Sequence, residues 1–145
     1  MTGQPSVSTA IALVALSLVG LLISTYFTAV AYRWIRPDTR WIPAFCRMSD
    51  QSCASIVFSP RARVLGVPNS LLGQMFYVAL LLGVPTGLVD RPGWQAIYVT
   101  ASMLTVLLGI FLTYSLLFLT RVRCVLCFTS HAINLVVFLL LVIRG

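Results

Sequence analysis

Charged side chains are absent from four long windows of the chain, residues 2–32, 64–89, 92–120 and 124–143. Each window is apolar almost throughout. A hydrocarbon core of about 30 Å takes roughly 20 helical residues to cross, and every window reaches that length. The pattern predicts four membrane-spanning helices at about 7–31, 68–89, 94–119 and 124–143. The fold class is therefore an all-α integral membrane protein, a four-transmembrane-helix bundle. The whole of 1–145 reads as a single membrane domain, with residues 1–6 as a short disordered lead.

The punctuation between the windows is equally informative. Residues 32–67 form the longest polar segment, with six arginines, three prolines, Trp34 and Trp41. The tryptophans suit an interfacial belt, and the prolines rule out one continuous helix. Residues 54–58 predict a short helical piece leaning on the bilayer, so this loop is partly helical. The second span opens on Pro68-Asn69-Ser70, where proline fits the first turn and Asn69 or Ser70 can cap it. Gly83 and Pro85 are placed to bend its far end, and residues 90–93 read as a tight turn. Along the first span, Ser17, Gly20, Ser24 and Thr28 recur every three or four residues. Small residues on one stripe permit close helix contact in lipid. A secretory signal peptide cleaved near Ala29-Val30-Ala31 fits less well. The apolar run exceeds the usual ~7–15 residues and no basic residue precedes it.

Composition changes the picture in one respect. Charged residues make up 9% of the chain, against about 25% in soluble proteins. The net charge of +7 comes from ten arginines and no lysine. These lie between the spans, where membrane proteins keep them, which excludes nucleic-acid binding. Lipid anchoring and attraction of an acidic partner surface remain open.

Four cysteines carry the candidate chemistry. Spans that alternate direction put the 32–67 loop and the turn before span four on one membrane side. Cys46, Cys53 and Cys124 therefore share a face. Cys124, Cys127, His131 and Asn134 are spaced three, four and three residues apart, forming one helical stripe. The Cys124-x-x-Cys127 pair sits at a helix N-terminus, where the dipole and Arg121 and Arg123 favour a thiolate. His131 reads equally as a hydrogen-bonding residue between helices or as a functional ionisable group within a span. Asn134 reads first as interhelical glue. A four-thiolate zinc site is one alternative, though six residues between Cys46 and Cys53 is wide for zinc. Structural disulfides are another. A relay of two exchanging dithiols fits best, with the loop pair reaching a protein and the inner pair reaching a lipid-soluble carrier. A hydrophobic cavity among four helices suits a quinone.

In this order and setting the motifs resemble the vitamin K epoxide reductase family in its short microbial form, from about residue 32 to 134. They are Cys46, Cys53 and Ser59, then Pro68-Asn69-Ser70-Leu71-Leu72-Gly73 with Phe76-Tyr77, then Cys124-x-x-Cys127 and Ala132-Ile133-Asn134. The resemblance implies a bundle around a quinone of menaquinone or ubiquinone type. It implies electron flow from a thioredoxin-like donor protein to Cys46 and Cys53, then to Cys124 and Cys127, then to the quinone. By position, Cys46 would exchange with the donor, Cys53 would attack at Cys124, and Cys127 would face the quinone. Asn69 would hydrogen-bond a quinone carbonyl and Ser59 would lie close to the reactive cysteines. Read as structure alone, Asn69 is a helix cap and Ser59 a turn residue. His131 stands where vertebrate relatives carry tyrosine, and is a third cofactor-binding candidate. Many microbial relatives carry a fused thioredoxin-like domain; this sequence has none, so the expected donor is a separate polypeptide.

Two rivals are set aside on stated grounds. The unrelated four-helix periplasmic quinone-linked oxidases place Cys-x-x-Cys in their first loop, whereas here it comes last. A non-enzymatic membrane protein with a four-cysteine metal site or structural disulfides predicts bound metal and no quinone reduction. Orientation divides the arguments. Eight arginines lie on the cysteine side and two opposite, which by the positive-inside rule puts the cysteines in the cytoplasm. The family resemblance faces them outward, where disulfides persist.

Overall fold

The computed structural model describes residues 7–32, 63–64, 67–114, 118 and 125–144. Four α-helices account for nearly all of these: α1 Val7–Ala31, α2 Asn69–Gly83, α3 Pro92–Tyr114 and α4 Val125–Arg144. The four-helix expectation holds. Three helices are long and apolar enough to cross a membrane, and α2 is a shorter apolar helix. The chain is a multi-pass membrane protein.

Boundaries follow local chemistry. α1 and α4 match the predicted spans 7–31 and 124–143 to within a residue at either end. α3 begins on Pro92, whose missing N–H costs nothing in the first turn, and the Gln95 amide bonds the Arg91 carbonyl at 2.7 Å. α2 stops at Gly83, short of the expected residue 89. Pro85 explains this: it donates no amide hydrogen and disfavours the helical region for the residue before it. The chain then turns through Gly87, left-handed at φ 74°, into a 3-10 turn at Leu88–Asp90. A two-residue antiparallel pair precedes α2, β1 Arg63–Val64 with β2 Val67–Pro68. It is too short to leave an alternating signature in the sequence.

α1 packs on α2 and on α4, and α4 packs on α3, while α2 and α3 touch sparingly. The core is one cluster including Leu13, Tyr77, Leu80, Tyr98, Val137 and Leu141. Leu22, Leu82, Ile110 and Ile143 point outward, as lipid-facing residues do. With lipid as apolar as leucine, burial alone does not hold the helices together; close packing and hydrogen bonds do. The predicted small-residue stripe of α1 supplies both. Ser17, Ser24 and Thr28 are buried, and Gly20 admits the Tyr77 ring of α2. The Thr28 hydroxyl lies 2.9 Å from both Ser70 Oγ and Gln74 Oε1. Gln74 Nε2 donates to Thr25 Oγ1 at 2.9 Å, which donates to the Leu21 carbonyl at 2.7 Å. On the other side, the Tyr98 hydroxyl of α3 donates to the Ala79 carbonyl at 2.8 Å.

A Cβ at Gly20 would fall on the Tyr77 ring, and that ring is fully buried with nowhere to swing. Gly20→Ala should therefore cost about 2 kcal/mol through overpacking, read as a lowered unfolding midpoint in detergent. Trimming the ring with Tyr77→Leu should recover much of the loss. A Gly20→Ala protein as stable as wild type would show that α1 and α2 are not held by this notch.

The two ends of the bundle differ. At one, Arg144 of α4 grips Asp90 with Nε–Oδ1 at 3.1 Å and Nη2–Oδ2 at 2.8 Å, and its Nη1 donates to Thr9 Oγ1 of α1 at 2.8 Å. This gathers the start of α1, the α2–α3 connection and the end of α4. The end of α1 and the start of α2 meet at the opposite end, through Thr28 and Ser70. The start of α4, with Cys127, lies there too.

Candidate functional site

α4 carries the described candidate residues along one face. Cys127, His131 and Asn134 follow at i, i+4 and i+7, so each next residue lies about a turn deeper than the last. No charged residue interrupts α4 before Arg144, which is why the stripe is held in a regular helix within the apolar layer.

Cys127 and His131 are both half-buried. The imidazole rests against Gly109 of α3, and its Nδ1 is buried with no hydrogen-bond partner among the described residues. A polar atom in that position is costly unless something completes it. Asn134 has its partner: Oδ1 accepts a hydrogen bond from the Tyr77 hydroxyl of α2. Ser130 also reaches that hydroxyl. The reading of Asn134 as interhelical glue holds. Tyr77 thus joins three helices, its ring in the Gly20 notch of α1 and its hydroxyl on α4. Tyr77→Phe should lower the unfolding free energy by about 1 kcal/mol. Asn134→Leu should cost a similar amount, with little further loss in the double variant. Additive losses measured by chemical unfolding would mean the two side chains act separately.

Asn69 is the first residue of α2, half-buried, at the same end of the bundle as Cys127. It opens α2, the position the sequence expects for it. Cys46, Cys53, Ser59 and Cys124 lie outside the described residues, as does most of the 32–67 loop. Sequence reasoning missed two residues that shape the site. Tyr77 was visible only as part of a motif, and Gly109 carried no local signal because its partner is on another helix.

An apolar groove of about 530 Å³ runs along the outside of α2, lined by Gln74, Met75, Val78, Ala79 and Leu82. It includes neither Cys127 nor His131 and faces lipid, so it is not the cavity that the stripe addresses. The stripe itself combines a thiol, a buried acceptor-or-donor nitrogen and apolar helix walls. That donor set fits a ring carbonyl in an otherwise apolar setting, the usual make-up of a small-molecule site.

A family model described as the vitamin K epoxide reductase family matches residues 11–142. The chain is 34% identical to rat (Rattus norvegicus) vitamin K epoxide reductase complex subunit 1, covering 83% of this chain and 80% of that protein. The mouse (Mus musculus) protein of the same name is 31% identical, over 87% of this chain and 84% of its own length.

Proposed function

Because the chain belongs to the vitamin K epoxide reductase family and is a membrane oxidoreductase of that family, we propose that it is a quinone-dependent thiol–disulfide oxidoreductase. Its role would be to reoxidise a thioredoxin-like protein that forms disulfides in other proteins. The observation that carries this reading is the α4 stripe: a cysteine and a buried, unsatisfied imidazole nitrogen one turn apart, at the end of the bundle where α2 begins on Asn69.

The sulfur relay balances as follows. A donor thiolate enters the Cys46–Cys53 disulfide at Cys46 and releases Cys53 as thiolate. The donor's second thiolate then attacks the mixed disulfide at the donor sulfur, closing the donor's own disulfide and releasing Cys46 as thiolate. Cys53 attacks the Cys124–Cys127 disulfide at Cys124 and frees the Cys127 thiolate. Cys46 resolves the Cys53–Cys124 bridge, which restores the loop disulfide and leaves the inner pair reduced. A bound quinone, of menaquinone or ubiquinone type, supplies the acceptor for two electrons and two protons. Cys124 and Cys127 close to a disulfide again. Asn69 and His131 would hold the ring by its oxygens, Ser59 would lie by the cysteines, and the apolar walls exclude water. We place the cysteine face outside the cytoplasm, where protein disulfides persist. The arginine count alone argues the reverse. Labelling of Cys46 by an impermeant reagent on intact cells supports the outward face; labelling only after lysis overturns it.

The function is tested by quinone reduction with two electron sources, a reduced thioredoxin-like protein and a small dithiol. Wild type should use both. Cys46→Ala should lose the protein donor and keep the small dithiol, because only the outer entry point is gone. Bound metal in stoichiometric amount with no quinone reduction from either source would instead favour the non-enzymatic reading.

A further inference from the structure

The buried glycine opposite His131 has a role that its packing alone does not require. Gly109 lies in the middle of α3 and is buried against α4. A Cβ built there would stand 3.1 Å from His131 Nδ1, 3.4 Å from Cγ and 3.6 Å from the histidine Cβ. The first distance is tighter than side chains tolerate without moving. Any other residue at 109 would push the imidazole aside by a few tenths of an ångström or more. The nitrogen that Gly109 faces is the one with no hydrogen-bond partner among the described residues.

We infer that Gly109 is a positioning residue for His131: by lacking a side chain it seats the imidazole with Nδ1 left unsatisfied for the oxygen of a bound quinone. This rests on the quinone reading above and deepens it. The chemistry favours an imidazole here. Neutral histidine has two tautomers, so Nδ1 either donates or accepts. A quinone oxygen accepts a hydrogen bond when oxidised and donates one when reduced. One nitrogen therefore serves both states, provided nothing in the protein occupies it first. Glycine at 109 meets that condition, since alanine would crowd the ring and serine would offer Nδ1 an internal partner.

The chain contains a single histidine, which makes the test direct. The full chain in detergent, labelled with nitrogen-15 at histidine, is titrated with a short-chain 1,4-naphthoquinone. Both the imidazole resonances and the quinone affinity are followed. In wild type the Nδ1 resonance should move on titration. In Gly109→Ser it should already be displaced without quinone. Affinity should fall about tenfold in Gly109→Ser and Gly109→Ala, the effect of one hydrogen bond. In a His131→Ala background, Gly109→Ala should cost nothing further. A Gly109→Ala chain that folds only when His131→Ala accompanies it also supports the contact. The inference falls if both Gly109 variants leave the resonance and the affinity at wild-type values while wild type responds to quinone; the quinone reading then stands. It falls equally if Gly109→Ala weakens affinity as much without the imidazole as with it. A wild-type imidazole indifferent to quinone removes His131 from the quinone site, and the inference with it.

Discussion

Cys127→Ala should lower quinone reduction at least about a thousandfold, the scale on which removing a reacting nucleophile acts. The loss should be the same with a protein donor and with a small dithiol, which separates Cys127 from Cys46. The reason is position. Cys127 is the member of its pair that lies within α4. It shares a face with His131, so no other sulfur on the helix can take its place. The variant should also strand the relay at a defined point. With Cys127 gone, Cys124 can attack the loop disulfide at Cys53, and the Cys46 thiolate released by that attack can only return the bridge to the loop disulfide. Alkylating Cys46 should therefore trap a Cys53–Cys124 bridge, visible on non-reducing peptide mapping. The fold should be intact, because Cys127 is only half-buried and is not among the core residues. Turnover within threefold of wild type would remove Cys127 from the reaction.

The helices were legible because uncharged length is a physical requirement of the bilayer, and no tertiary detail can override it. α1 over Val7–Ala31 shows this best. The end of α2 was less legible. Gly83 and Pro85 signal a disturbance, but whether a proline kinks or ends a helix depends on what lies beyond. Here a left-handed Gly87 and the 3-10 turn complete the stop. Helix contacts were legible only where one helix carried the whole signal. The α1 stripe of small residues did so, and all of Ser17, Gly20, Ser24 and Thr28 are buried. Tyr77 did not, since its meaning depends on a glycine 57 positions before and asparagine 57 positions after, each on a different helix. The site divides the same way. Spacing put Cys127, His131 and Asn134 on one face. It could not say which polar atom has a protein partner. Asn134 has one across the bundle, and the facing nitrogen of His131 is left for something else.

Breaking the ion pair at the far end should produce unequal losses from its two halves. Arg144 is 5% exposed and Asp90 24%. With Asp90→Ala the guanidinium stays buried and loses its carboxylate partner, so an uncompensated charge sits among helix ends. Such a loss costs about 3 kcal/mol. With Arg144→Ala the remaining carboxylate is open enough to hydrate, and the loss should be roughly half as large, as for partly exposed pairs. Replacing both, as Asp90→Leu with Arg144→Met, removes the buried charge altogether and should be less damaging than Asp90→Ala alone. The cycle is read by equilibrium unfolding in detergent, where equal single losses that add in the double variant would show the pair to be unimportant. Turnover provides the second readout. The clamp joins α1, the α2–α3 connection and α4 at the end away from Cys127. Below its lowered melting temperature, Asp90→Ala should therefore reduce quinone nearly as fast as wild type. A loss of turnover without a loss of stability would mean instead that the two ends of the bundle are mechanically coupled.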